Sequence, residues 1–128
     1  LEKGGYVVLD AENPDVVLVG NGSEVSTLYA ASQLLKEDGI KCRLVSIPSI
    51  GLFKNQSDDY RKSVIPDNIP VFGLTAGLPS VFYTIVGHNG TVYGMERFGA
   101  SAPYTVLDEK FGYTAENIAG EVKRFIAR

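Results

Sequence analysis

The side chains that could do chemistry in this 128-residue chain are few and scattered. The best ready-made ligand site is the turn Gly20-Asn21-Gly22-Ser23, because free N–H groups at a helix start can hold an anion. Its Gly-x-Gly-x-x spacing, however, puts Val25 where a dinucleotide fingerprint wants a third glycine. The following strand ends in Ile47-Pro48-Ser49 rather than in an acid for a ribose. Glu24 also brings a negative charge into the first helical turn, where it competes with a phosphate for the helix dipole. A structural strand-to-helix turn is the favoured reading of these residues.

The other candidates are weaker still. His88 is the single histidine and stands in the turn Gly87-His88-Asn89-Gly90, with no Ser, Cys or carboxylate partner that the sequence fixes. One histidine and one cysteine supply no metal-ligand spacing such as His-x-x-x-His. Cys42, near the start of a strand, reads as a small packed residue. Asp58 and Asp59 could pass for a catalytic carboxylate pair, but neighbours on a helix point about 100° apart. Acids at a helix start also complement its positive end. Glu96 and Arg97 fall in a loop between a short β-type run, Thr91 to Met95, and a helix-start signal at Ser101 and Pro103. Loops at such places commonly carry interaction residues.

The composition is that of an ordinary globular domain: 45% hydrophobic and 21% charged, which lets 128 residues bury roughly two-thirds of their unfolded surface. With a net charge of -3 and no run of Lys or Arg, the electrostatic footprint of a nucleic-acid binder is missing. A single cysteine forms no intrachain disulfide, no apolar run approaches a membrane span, and no basic-then-apolar leader opens the chain. A cytoplasmic location is expected. Residues 1–128 are expected to form one domain, with Leu1 to about Gly4 as a linker remnant, and a start at Leu1 rather than Met suggests a domain cut from a longer polypeptide.

Periodicity sets out the elements that must position these residues. Tyr6 to Leu9 and the continuously apolar Val16 to Val19 read as strands, and the short link between them allows only antiparallel pairing, which makes the first an antiparallel edge. Ser23 can cap a helix to about Asp38 with Val25, Leu28, Tyr29, Ser32 and Leu35 on its inner face, and Gly39 stops it. Cys42 to Ile47 is the next strand, completing a right-handed βαβ unit. Ser49 to Gln56 is loop or irregular helix with Leu52 and Phe53 as buried anchors, and Ser57 begins a short helix that ends before Pro66. Ile69 to Leu74 and Thr91 to Met95 are further strands, with helices over Pro79 to Val86 and Pro103 to Lys110. Thr114 caps a terminal helix whose apolar face is Ile118, Val122, Phe125 and Ile126. This order predicts an α/β fold: a three-layer α/β/α domain around a five-stranded, mostly parallel mixed sheet with one antiparallel edge strand.

The run Gly94-Met95-Glu96-Arg97-Phe98-Gly99-Ala100-Ser101-Ala102-Pro103 resembles the signature of the transketolase C-terminal domain, Gly-(Met/Ile)-(Asp/Glu)-Arg-Phe-Gly-Ala-Ser-Ala-Pro. The likeness extends almost end to end, through Lys3-Gly4-Gly5-Tyr6-Val7, Pro14 to Val19, Gly22-Ser23-Glu24-Val25, Val45 to Ser49, Tyr60 to Pro66 and Phe111 to Ile118. One loop departs: Thr75-Ala76-Gly77 stands where the family usually has Glu-Ala-Gly, with Phe82 for a Trp and Val81 for a Gly.

The resemblance implies an enzyme that moves two-carbon ketol units between sugar phosphates on thiamine diphosphate with a divalent metal, magnesium or calcium. It also implies that cofactor, metal and acid/base groups belong to two preceding domains, so no catalytic, cofactor-binding or metal-binding residue carries over to this chain. The domain would pack on its preceding domain and support a homodimer, with Glu96, Arg97, Phe98 and Ser101 at the domain or dimer interface. The alternatives are a free-standing regulatory or anion-binding module using the Gly20 to Ser23 turn, and a separately encoded subunit of a split transketolase.

Overall fold

Val16 to Val19 put β-branched and leucine side chains on both faces of an extended chain, so a strand built from them is stable only when both faces are covered. The computed structural model, which describes residues 4–22, 24–66, 68–75, 90–94 and 114–127, covers both. Its strands are β1 (Tyr6–Leu9), β2 (Val16–Gly20), β3 (Cys42–Ser46), β4 (Val71–Thr75) and β5 (Gly90–Gly94). They form one sheet in the order β1-β3-β2-β4-β5, with β1 antiparallel to β3 and every other pair parallel.

Helices α1 (Glu24–Glu37) and α4 (Ala115–Ile126) cover one face, and α2 (Ile50–Lys54) and α3 (Asp58–Val64) the other. Side chains alternate accordingly along each strand. Val16 and Leu18 join Leu28, Leu35, Ile118 and Val122 in the first core, while Val17 and Val19 join Phe53, Val64 and Ile65 in the second. The expected three-layer α/β/α architecture is therefore present.

The first strand is the antiparallel edge, but it pairs with β3 rather than β2. Consecutive strands often neighbour one another; here β3 is inserted between them and the link 10–15 passes its amino end. Polar contacts hold the link there. Lys41 N–H donates to Asp15 Oδ2 at 2.9 Å, and Asp15 N–H donates to the Lys41 carbonyl at 2.8 Å. Asn13 turns the chain with a φ of 51°, a conformation that Asn tolerates better than most side chains.

Arg43 is the second latch. Its Nε donates to Asp10 Oδ1 at 2.9 Å, and its Nη1 donates to the carbonyls of Ser63 at 2.8 Å and Val64 at 3.2 Å, at the negative end of α3. One side chain thus ties the β1 exit to the α3 terminus. Asp10 is held below its ordinary value, first by the bond from Arg43 and then by the Ala11 N–H. A carboxyl depressed in the folded state adds stability above its unfolded pKa of about 3.9 and loses it as pH falls through the lower folded value. Because Asp10 is exposed, the ion pair itself contributes about 1 kcal/mol or less. Arg43→Met, which also abandons the two carbonyls, is expected to destabilise by about 1–3 kcal/mol in urea melts at pH 7. Asp10→Asn should cost less, and its deficit should shrink as the pH of the melt is lowered through the depressed folded-state pKa of Asp10.

Two expected burials do not occur. Tyr29 and Leu52 are exposed. At about 100° per residue, Glu24, Leu28, Ala31, Ser32 and Leu35 define the buried arc of α1, and Tyr29 lies well outside it. Ala31, though small, is fully buried, while the larger Tyr29 ring stays outside. In α2 only Phe53 is fully buried, with Ile50 packed partly against the same core, and Phe53 meets Tyr60 edge-on at 6.3 Å between ring centroids. The caps at Ser57 and Thr114 form as expected, each side-chain oxygen accepting an N–H three residues on. Ser49 caps α2 in the same way, resolving the irregular segment into a short helix. The helices expected over 79–86 and 103–110, and His88, lie outside the described residues.

Candidate functional site

In an open α/β sheet, ligands gather outside the carboxyl ends of the strands, where successive crossovers leave in opposite directions. The chain goes from β2 through α1 to β3 on one side, then returns through α2 and α3 to β4 on the other. The switch point therefore falls between β2 and β4, and the turn that follows Gly20 stands at it.

Each glycine of that turn has a separate physical cause. A Cβ on Gly20 would sit 2.8 Å from Leu28 Cδ1, so its absence lets α1 pack close to β2. Gly22 has a φ of 58° and open space around it, so it is there for its backbone conformation. The Glu24 N–H donates to the Asn21 carbonyl at 3.2 Å and the Val25 N–H to the Gly22 carbonyl at 3.3 Å. Two first-turn donors that could face an anion are thus engaged within the turn itself. Glu24 is only 6% exposed and stands in the first turn of α1, where its charge competes with a bound phosphate for the helix dipole. These residues do not fit the diphosphate of thiamine diphosphate. Ser23, the fourth residue of the candidate site, lies outside the described residues.

The remaining candidates do not converge on this turn. Cys42 pairs with Val16 at the amino end of the sheet, about 13 Å of strand away from Gly20. It is buried in the first core, and desolvation, with the nearby Asp15 charge, pushes its thiol up to about 11. At neutral pH it is a packed thiol, not a nucleophile. Asp58 and Asp59 are exposed at the start of α3, where Asp58 pairs with Arg61 along the helix. Among the described residues, no three His, Cys, Asp or Glu side chains are grouped to hold a metal. Thr75, which stands where the resemblance expects a glutamate, is buried at the carboxyl end of β4 and so keeps a polar group there without the charge. Glu96, Arg97, Phe98 and Ser101 lie outside the described residues, beyond the carboxyl end of β5.

The sequence reading overlooked an apolar groove of about 620 Å³ between β1 and α1. Tyr6, Val8, Val25, Tyr29 and Pro48 contribute to it. A signal for it was available, since Tyr29 falls outside the arc set by Leu28 and Leu35.

A mixed five-stranded sheet with helices on both faces, a packed strand-to-helix turn at its switch point and an exposed apolar groove at its edge define a doubly wound three-layer α/β/α domain. Residues 4–114 match the model of the transketolase-like C-terminal domain, and the chain belongs to that family. It is 39% identical to transketolase 2 of Vibrio parahaemolyticus over 99% of this chain and 20% of that protein. It is 38% identical to transketolase 1 of Escherichia coli over 98% of this chain and 19% of that one. Among solved structures, transketolase from Leishmania mexicana superposes with a TM-score of 0.89 at 35% identity, covering 99% of this chain and 18% of that chain. Transketolase from Pichia stipitis in complex with sedoheptulose-7-phosphate gives 0.89 at 31%, covering 98% and 18%. The chain thus spans about a fifth of the length of the relatives it matches.

Proposed function

We propose that this chain serves as the non-catalytic C-terminal domain of a cytoplasmic transketolase. The longer polypeptide would transfer two-carbon ketol units between sugar phosphates, with thiamine diphosphate and a divalent metal held by the preceding domains. In this reading the present domain packs on its neighbour and supports the homodimer. The observation that carries it is the family match across residues 4–114 at about a fifth of the relatives' length. The geometry at the switch point supports the non-catalytic part, since the turn's donors and Glu24 leave little room for a diphosphate.

Two measurements test this. The intact mass of the native polypeptide should be several times 13.8 kDa, and a native mass near that value would favour a free-standing module. Arg97→Ala should weaken docking or dimer assembly, measured by sedimentation, more than it lowers the melting temperature of the isolated domain. Equal damage to both would remove Arg97 from the interface.

A further inference from the structure

We infer that the groove between β1 and α1 is where the domain that precedes this one in the longer polypeptide docks. This rests on the proposed function and assigns it a surface. Among the described residues, the large apolar side chains left exposed are Tyr6 (41%), Val8 (44%), Tyr29 (49%) and Leu52 (47%). They come from three different elements. Tyr6, Val8 and Tyr29 line the same groove. Leu52 stands beside Gly4, its Cβ 2.8 Å from where a Gly4 Cβ would be.

The stretch from Gly4 to Tyr6 is the place where the polypeptide enters the domain, and it is fixed rather than loose. The Ser49 N–H donates to the Gly4 carbonyl at 3.1 Å, and the Tyr60 hydroxyl donates to the Gly5 carbonyl at 2.8 Å. Tyr6 pairs with Ser46 at the carboxyl end of β3, so whatever is joined ahead of Gly4 emerges at the carboxyl-end rim of the sheet. β5, parallel to β4, ends with Gly94 at that same end. About four-fifths of the relatives' length lies outside the matched region, and the matched family is a C-terminal domain, so in those relatives most of that length precedes it. A neighbour tethered this close is present at high effective concentration, and its nearest apolar landing surface is this groove.

The edge strand is shaped for such a contact. β1 is the end strand of the sheet, so its outer edge has no strand partner among the described residues. The register slips between Val7 and Leu9, leaving Val8 as the extra residue of a bulge that turns an apolar side chain outward. An isolated soluble domain usually blunts such an edge with charge; β1 carries Tyr6 and Val8 instead. Contiguous exposed apolar groups of this kind mark interaction surfaces. The occupant is therefore an apolar patch of the preceding domain.

Hydroxyl-radical footprinting of the native longer polypeptide, with the 128-residue chain alongside, tests this. Tyr60, half-buried and hydrogen-bonded to Gly5, is the internal reference. In the 128-residue chain Tyr6 and Tyr29 should label faster than Tyr60; in the longer polypeptide they should fall several-fold, to or below the Tyr60 rate. Tyr29→Lys in the longer polypeptide, a change at an exposed position, should restore fast labelling of Tyr6. Tyr6 and Tyr29 labelling at unchanged rates while residues 96–101 become protected would overturn this surface and leave the proposed function standing. No change anywhere in the domain would overturn both. Protection that already appears in the 128-residue chain and rises with its concentration would make a second copy the occupant, and would also overturn the inference.

Discussion

Phe72→Ala is expected to destabilise the domain by about 3–5 kcal/mol, which for a chain of this size lowers the melting temperature by roughly 10–20 °C. Phe72 is 2% exposed on β4, between β2 and β5, and its ring lies 6.2 Å from that of Phe125 on α4. Removing it leaves a cavity that must be closed by the sheet and by two helices from distant parts of the sequence, α1 and α4. Neither can move without disturbing the other, because they pack together and Lys123 of α4 pairs with Asp38 just after α1. Natural domains have only about 5–15 kcal/mol in hand, so the loss is a large share of the total. Thermal melts of the variant check the size of the effect. A loss below 1 kcal/mol would mean that α4 does not close the first core as described.

The second large effect is expected at a glycine. Gly4 has a φ of 81°, and a Cβ there would come within 2.4 Å of the Ser49 carbonyl oxygen and 2.5 Å of the Phe53 nitrogen. Both neighbours are backbone atoms, of the α2 cap and of α2 itself, and cannot rotate away. Gly4→Val therefore combines left-handed strain with a clash, together about 2–4 kcal/mol. The damage should be local: hydrogen exchange should accelerate at β1 and at its partners Val45 and Ser46, while α4 stays protected. Gly51, the second residue of α2 with open space where its Cβ would go, is the control. Gly51→Ala should stabilise slightly, on helix propensity alone. Comparable loss at both positions would mean that glycine content, not the Gly4 geometry, governs this corner.

The parts of the fold that one-dimensional periodicity determines were legible in the sequence. The continuous apolar run of β2, the capped helices at Ser57 and Thr114 and the stop at Gly39 all rest on interactions within a few residues of one another. The partner of β1 was not legible, because nothing local distinguishes pairing with β2 from insertion of β3 between them. That choice is made by contacts such as Arg43 to Asp10 and Asp15 to Lys41, which join residues far apart in sequence. Tyr29 was misplaced for a different reason: its spacing from Val25 and Ser32 argued for the inner face, while the buried arc of α1 is set by Glu24, Leu28, Ala31, Ser32 and Leu35. At the candidate site, the spacing of Gly20, Gly22 and Val25 already spoke against a dinucleotide. Only the structure shows why Gly20 is a glycine, since the close approach of Leu28 has no sequence signature.

The central claim is that this domain supports ketol transfer without performing it. Its most direct test is turnover, measured with thiamine diphosphate, magnesium, a ketose phosphate donor and an aldose phosphate acceptor. The purified 128-residue chain should give none and should show no heat of thiamine diphosphate binding, while the longer native polypeptide should turn over under the same conditions. Turnover by the chain alone would contradict the account, and so would a longer native polypeptide without ketol-transfer activity.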